Sequence, residues 1–555
     1  VFDPLTLAQL PAPITFSPSG QWDGNDGPWS SFSLRLGSMD QSQHIRVLPA
    51  FSVSALFTID KSGCPTESEA PTFMSPQQCL EARGGVFDAD QSSDWTYYGI
   101  FGVDGGSSGL GYLDVTVEFG SETVGLTSDN TQPLLSGQIT AMVAVFDYWI
   151  GVFGLSPNPS RLANMSTSYP TFFNGLKKTG RIAGNSWSYT AGAYHRKSLD
   201  PRISTAQRSC CKGNFSANLI FAGYDSSRFN SKNSVQISMM PNTTFVVQIK
   251  KIEVTGLTIE NQVISNVSFL STIESALPYL YVEKSICSEF QRVFNLSYDS
   301  GSDLYFIPDD LHSRLLALNP SIIFTVCGSY NGGKTHCGDF PFPYAAFALN
   351  ASYPLLKYPN GSIINSTAQS RRYFAIKQSN DANSVVLGRV FLQETHVFAD
   401  FDRKFFNLSQ TVFDSTAESR VSIVQAPSNA TDDGAAALTA ADVTGIVISV
   451  VAALATSCYL AFAKLKGRWP FKPPQPVAEE PGKPELDGTG RPCVELSTVD
   501  RKEMPCPDKP NEMAFAGQDA ELEGSIPLYE LPATVDGDSF HRPVPSRKPL
   551  PSPQT

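Results

Sequence analysis

Short runs of Val, Ile, Phe, Thr and Tyr, broken by Gly, Pro, Asn and Ser, fill most of the chain between about residues 15 and 412. Phe245 to Val254 and His396 to Phe401 are runs of this kind and predict strands. Trp22 to Gly37 reads as a turn cluster that feeds another strand. Helical periodicity is scarce. Ser285 to Phe294 and Asp309 to Leu318 predict short helices, the second after Pro308 with Asp309 or Asp310 available as its cap, and Asp299 to Asp303 predicts a turn between them. The pattern as a whole predicts an all-β region built from many short strands. One of its apolar runs, Arg46 to Ile59, contains no carboxylate.

The pattern breaks twice after Gln410. Ser415 to Ala441 is rich in Ser, Ala, Asp and Thr and reads as a stalk. Val443 to Ala463 then runs 21 residues without a charge. At about 1.5 Å per residue that length crosses a hydrocarbon core of about 30 Å. Asp432, Asp433 and Asp442 precede the run and Lys464, Lys466 and Arg468 follow it, which predicts a single-pass helix with its C-terminal side in the cytosol. Residues 464–555 carry scattered prolines, mixed charges and few aromatics, the composition of a disordered tail. Within it Glu485-Leu486-Asp487-Gly488-Thr489 and Glu521-Leu522-Glu523-Gly524-Ser525 resemble each other, as do Glu495 to Asp500 and Glu530 to Asp536. Two copies suggest docking to a cytosolic partner; drift in a low-complexity tail is the alternative.

Composition narrows the function classes. The 555-residue chain carries a net charge of −12, which gives no reason to expect nucleic acid. It has no Gly-rich phosphate loop and no zinc-type Cys/His spacing, so neither cofactor nor metal is expected. No initiator Met or signal peptide precedes Val1, and the chain is expected to be already processed. Asn-X-Ser/Thr sequons stand at Asn164, Asn214, Asn242, Asn266, Asn295, Asn350, Asn360, Asn365, Asn407 and Asn429, all before the apolar span. That one-sidedness predicts an N-terminal part outside the cell or in the secretory lumen, in the plasma membrane or an internal secretory membrane. Seven cysteines precede the span, and an oxidising compartment favours pairing them. Cys64 with Cys79 and Cys327 with Cys337 close short loops and are the expected pairs; seven is odd, so at least one thiol is left over or bonded elsewhere.

Several stretches together resemble the pepsin-like aspartic proteases, peptidase family A1, in particular fungal membrane-anchored members. A strand, a Gly-containing turn and a Gln lead there into a second strand that ends in Asp-Thr/Ser-Gly; here Gln43 and Arg46-Val47-Leu48 take those places. Arg83-Gly84-Gly85-Val86-Phe87 with Ser92-Ser93-Asp94-Trp95 is similar to a family turn. Tyr148 to Leu155 resembles the hydrophobic-hydrophobic-Gly strand of the first lobe, Phe221 to Phe229 the family's strand-crossing segment, and Val386 to Glu394 the corresponding strand of the last lobe. The resemblance implies a bilobal pepsin-like fold, with one lobe over 1–190 and the other over 191–412. A stalk over 413–442, a membrane helix over 443–463 and a tail over 464–555 follow.

A pepsin-like protease needs one carboxylate from each lobe, close enough to share a proton, so that one acts as base toward water and the other as acid. Two like charges at that distance cannot both ionise, which is why the pair is required. The resemblance sets Pro49 at the first aspartate, Ala50 at the hydroxyl residue and Phe51 at the glycine; in the second lobe it sets Glu274, Ser275 and Ala276 there. Pro49 has no ionisable group, and Glu274 is one methylene longer than Asp and lacks its partner. Asp299-Ser300-Gly301 has the letters of the motif but follows a probable helix rather than an apolar strand, and reads as a structural turn. Tyr112 is the candidate for the aromatic of the flap that covers substrate in this family, with an ordinary hairpin tyrosine as the alternative.

These readings predict a non-catalytic, single-pass surface glycoprotein whose cleft binds peptide, protein or wall material. The alternative is a membrane-anchored aspartic endopeptidase with an atypical site around Glu274; a weaker third is a sensor that signals through its tail.

Overall fold

The computed structural model describes residues 10–427 and the strand Leu528–Glu530, apart from 39–41, 67–73, 104–114, 127–132, 147, 162–167, 199–214, 242–243, 359–361, 365–368, 380–384 and 415–416. The architecture is mostly sheet with few helices, in the bilobal pepsin-like arrangement. A six-stranded sheet draws on both halves of the sequence, in the order Ile14–Phe16, Ser216–Phe221, Ser186–Gly192, Thr395–Asp400, Phe405–Thr411, Phe229–Ser238. Its seam is the antiparallel pairing of Ser186–Tyr189 with Val397–Asp400. A lobe boundary at 190 falls inside one of these strands.

Each lobe carries the same three-strand device. In the first, Gln43–Ala50 runs parallel to Gly151–Gly154, which pairs antiparallel with Leu56–Ile59. In the second, Phe269–Ile273 runs parallel to Val386–Leu387, which pairs antiparallel with Leu280–Val282. Both devices leave a loop between the outer strands, and the two loops face each other. Their apolar residues are buried because each strand has neighbours on both faces, which is why these runs read as near-continuous hydrophobic stretches. Pro49 is tolerated near the end of its strand because the ladder with Trp29–Leu36 stops at Val47, so its missing N–H costs no bond there.

The expected helices form as Lys284–Phe294 and Asp309–Leu318. The second is not capped by an aspartate side chain: Pro308 takes the cap position, and Asp309 and Asp310 sit in the first turn, where the helix dipole favours them. No helix among the described residues is long and apolar enough to cross a membrane; residues 443–463 lie outside them.

Part of the expected stalk is instead tied to the lobes by main-chain bonds. Val421–Ile423 pairs antiparallel with Gly223–Asp225, Val424 N–H donates to the Ala222 carbonyl at 2.8 Å, and Ala426 N–H to Ala183 at 3.2 Å. Asp225 holds this strap from the side, accepting the Ser419 hydroxyl at 2.6 Å and the Arg420 N–H at 2.8 Å. The expected tail also contains structure: Leu528–Glu530 pairs antiparallel with Phe101–Val103 at the edge of the first-lobe sheet.

Candidate functional site

The two facing loops are set by glycines that let backbone approach backbone. A Cβ on Gly154 would strike the Val53 carbonyl, and one on Gly388 the Leu277 and Tyr279 carbonyls. The loops are then tied in matching fashion. Leu155 N–H donates to Ala50 at 2.8 Å and Ser156 N–H to Val53 at 3.0 Å; Gly388 N–H donates to Tyr279 at 3.0 Å and Val390 N–H to Pro278 at 3.1 Å.

Glu274 bridges them. Its Oε1 accepts the N–H of Phe51 at 2.9 Å and that of Ala276 at 2.9 Å, while its Oε2 accepts the N–H of Ser52 at 3.0 Å. The extra methylene of Glu is what lets the carboxylate span to the opposite loop while keeping the bond to its own. The residue is 8 % exposed. Both carboxylate oxygens are therefore committed to main-chain donors. The strand registers make Ala50, one place beyond the expected Pro49, the first-lobe counterpart of Glu274: Leu56 pairs with Phe153 as Leu280 pairs with Leu387, and Pro49 pairs with Phe153 as Ile273 pairs with Leu387. Neither Pro49 nor Ala50 carries an acid. Neither residue can supply the second acid that a shared proton requires.

The rest of the site is built to fit that bridge. The Phe51 ring does not fill the cleft but turns down into the core, 2 % exposed, with its centroid 4.7 Å from Trp187, 5.2 Å from Phe245 and 5.6 Å from Tyr189. Burial foremost, with the Glu274 charge adding, pushes the Tyr189 phenol far above its usual range. Ser275, at the position whose hydroxyl the family resemblance gives a bracing role, is buried with no protein partner for its Oγ. Its first-loop counterpart in the strand registers is Phe51, which has no hydroxyl, and the carboxylate bridge holds the loops instead.

Behind the second loop, Arg389 donates to the Ala276 carbonyl at 2.6 Å and the Ser275 carbonyl at 3.2 Å. Its other nitrogen reaches Asp26 of the first lobe at 3.0 Å, and its guanidinium lies 4.9 Å from the Trp29 ring centroid. The Trp29 indole N–H also donates to Asp26, at 2.6 Å, and the Tyr373 hydroxyl donates to the Asp26 carbonyl. Sequence reasoning missed this latch. Its one local signal was an arginine placed immediately after the Val386-Leu387-Gly388 strand.

The remaining sequence candidates are dispersed. Asp299 ends the short strand Ser297–Asp299, and its carboxylate accepts the Ser302 N–H at 2.9 Å in the turn that leads to Leu304–Phe306. Tyr112 lies outside the described residues; the hairpin arms that flank it are Thr96–Val103 and Val115–Gly125. Both expected disulfides are formed, Cys64 with Cys79 and Cys327 with Cys337. Cys287 is a buried free thiol, pushed up to about 12 mainly by burial. Among the sequons, Asn266, Asn295 and Asn350 are exposed, and Asn164, Asn214, Asn242, Asn360, Asn365 and Asn429 lie outside the described residues. Asn407 is different: it is half-buried in the strand Phe405–Thr411, its side-chain oxygen is enclosed without a partner, and the Ser409 of its sequon pairs with Ser234 at 2.8 Å.

Comparison with known proteins adds two findings. The family profile for eukaryotic aspartyl proteases matches residues 104–411. The crystal structure of an aspartic proteinase from Irpex lacteus superposes with a TM-score of 0.43 at 16 % identity, over 74 % of this chain and 100 % of that one. No curated protein matches the sequence.

Proposed function

This chain belongs to the eukaryotic aspartyl protease family, and from that premise we propose that it is a member that binds in its cleft without cleaving. The carrying observation is the state of Glu274: its carboxylate already accepts three main-chain N–H groups, and neither Pro49 nor Ala50, the residues at its first-lobe counterpart, carries an acid. Hydrolysis of this type requires a base free to take a proton from water and an acid to polarise the carbonyl. Glu274 performs neither task while it braces both loops. The cleft's ligand is then an extended peptide, a protein segment or wall material, held rather than cut.

The setting of the molecule is part of the same proposal. The uncharged run 443–463, the acidic-to-basic switch across it and the ten sequons upstream support a single-pass glycoprotein of the plasma membrane or a secretory membrane, N-terminus outside. That topology places Leu528–Glu530 and Phe101–Val103 on opposite sides of a bilayer, so it and their strand pairing exclude each other. Protease treatment of sealed vesicles distinguishes them: a tail and lobes that differ in protection support the anchored topology, and a tail digested or protected together with the lobes overturns it.

The catalytic question is tested with the full-length protein on a broad peptide library from about pH 3 to about pH 7, with Glu274→Gln and a pepstatin-type inhibitor as controls. No cleavage by folded protein is the expected result. Cleavage abolished by both controls would establish a rearranged aspartic endopeptidase instead.

A further inference from the structure

The outer surface of the second lobe carries an apolar strip. Gln262–Ser265 and Phe269–Ile273 follow one another along the same side of Val246–Thr255, both antiparallel to it. Alternate residues of a strand point to opposite faces, and residues paired across strands share a face. Val247 and Ile249 flank Gln248, and Ile252 and Val254 flank Glu253; all four are buried, so Gln248 and Glu253 belong to the solvent face. Leu270 stands opposite Gln248 and Val263 opposite Glu253, on that same face, 64 % and 41 % exposed. From Gln248 to Glu253 the strand covers about 16 Å at about 3.3 Å per residue.

Asn266, Val267 and Ser268 occupy the gap between the two apolar positions, and together they are a sequon. Ser265 Oγ accepts the Val267 N–H at 3.3 Å, and Val267 is 71 % exposed. Asn266 and Ser268 are exposed as well, so this acceptor stands in solvent, whereas that of Asn407 is half-buried. An exposed apolar residue by itself needs no explanation, but a run of them along one strand does. What stands in the middle of this run is an attachment point for a bulky, solubilising group.

We propose that Asn266 carries an N-linked oligosaccharide whose first sugars lie along the strip and shield Val263, Val267 and Leu270 from solvent. Attachment forms the bond from Asn266 Nδ2 to C1 of the first sugar as the bond from C1 to the phosphate oxygen of a lipid-linked pyrophosphate donor breaks. The amide nitrogen gives up one proton, and the lipid pyrophosphate leaves. The surroundings suit a sugar on both counts: its C–H faces cover aliphatic side chains, and Gln248 and the ion pair of Lys251 with Glu253 offer hydrogen bonds to its hydroxyls. Asn350 is the contrasting sequon, exposed on Ala348–Ala351 opposite Arg372, with buried Leu349 and Ala351 on either side of it. The inference rests on the secretory placement of the sequons proposed above and does not depend on whether the cleft hydrolyses.

The test uses the full-length protein from a eukaryotic host that glycosylates asparagine, with glycopeptide mass spectrometry for occupancy and carbene footprinting for side-chain exposure. Asn266 is expected to be occupied. Carbene labelling of Val263 and Leu270 is expected to rise about twofold or more in Asn266→Gln, in Ser268→Ala and after enzymatic removal of sugar from the folded wild type, and to stay unchanged in Asn350→Gln. An Asn266 without sugar beside an occupied Asn350 would overturn this inference and leave the secretory placement standing; sugar on neither would overturn both. An occupied Asn266 whose removal leaves the labelling of Val263 and Leu270 as it was would overturn the shielding.

Discussion

The Glu274 carboxylate in one lobe receives the backbone N–H of Phe51 in the other at 2.9 Å. With Ser52 and Ala276 as further donors, one side chain serves main chain from both loops. A catalytic carboxylate and a brace respond differently to substitution. Glu274→Ala strands donors that are largely enclosed, at about 1–3 kcal/mol each, and is expected to cost about 3–5 kcal/mol in all. Glu274→Gln keeps the length and one good acceptor and should cost about half as much. Urea midpoints of the two variants check this, and an unchanged midpoint for Glu274→Ala would remove the bracing role.

Phe51→Gly restores the residue type that the family resemblance places at this position, yet it is expected to destabilise. The ring packs among Trp187, Tyr189 and Phe245, and emptying an aromatic site of this kind costs about 3–5 kcal/mol. Thermal unfolding of the variant measures it. A neutral result would show that the cluster closes over the vacancy.

Asp26 and Arg389 form an ion pair between the lobes, with the arginine also serving two carbonyls of the Glu274 loop. Removing one partner of a buried pair leaves the other uncompensated. Arg389→Met is therefore expected to cost about 3–5 kcal/mol, and the double variant with Asp26→Asn clearly less than the sum of the two singles. Additive losses in that double-mutant cycle would deny the coupling.

His396 carries an acid-sensitive term. It is buried against the Phe229 ring with no partner on either nitrogen, and burial pushes its pKa down to about 3. Because the folded value lies below the unfolded one, the unfolded chain binds the extra proton. Stability from this residue is whole above about pH 6.5 and is lost as pH falls toward about 3, by a total on the order of 5 kcal/mol. His396→Phe should flatten the acid side of the stability profile. A wild-type profile that is level from about pH 6.5 down to about pH 4 would contradict the assignment.

Much of this could be read along the chain. Strand periodicity and turn residues are local properties, so the two all-β lobes were legible, as were the helix Asp309–Leu318 and the turn at Asp299. The disulfides were legible because their partners are only 15 and 10 residues apart. That neither Pro49 nor Ala50 brings a carboxylate was also plain, since neither side chain can ionise whatever surrounds it.

What tertiary structure decided has a common physical cause: its partners are backbone groups, or side chains far away in sequence. Every residue but proline has an N–H, so nothing in the letters says that those of Phe51 and Ser52 would be gathered by Glu274. The strap around Val421–Ile423 has the composition of a linker because main-chain bonds to a strand some two hundred residues upstream hold it, not an apolar face. The Asn407 sequon is complete as a motif, but only the packing of its strand encloses the side chain. Composition and periodicity determine which segments can be strands and which acids exist; the distance between Asp26 and Arg389, 363 residues apart and in contact, exists only once both lobes have closed on one another.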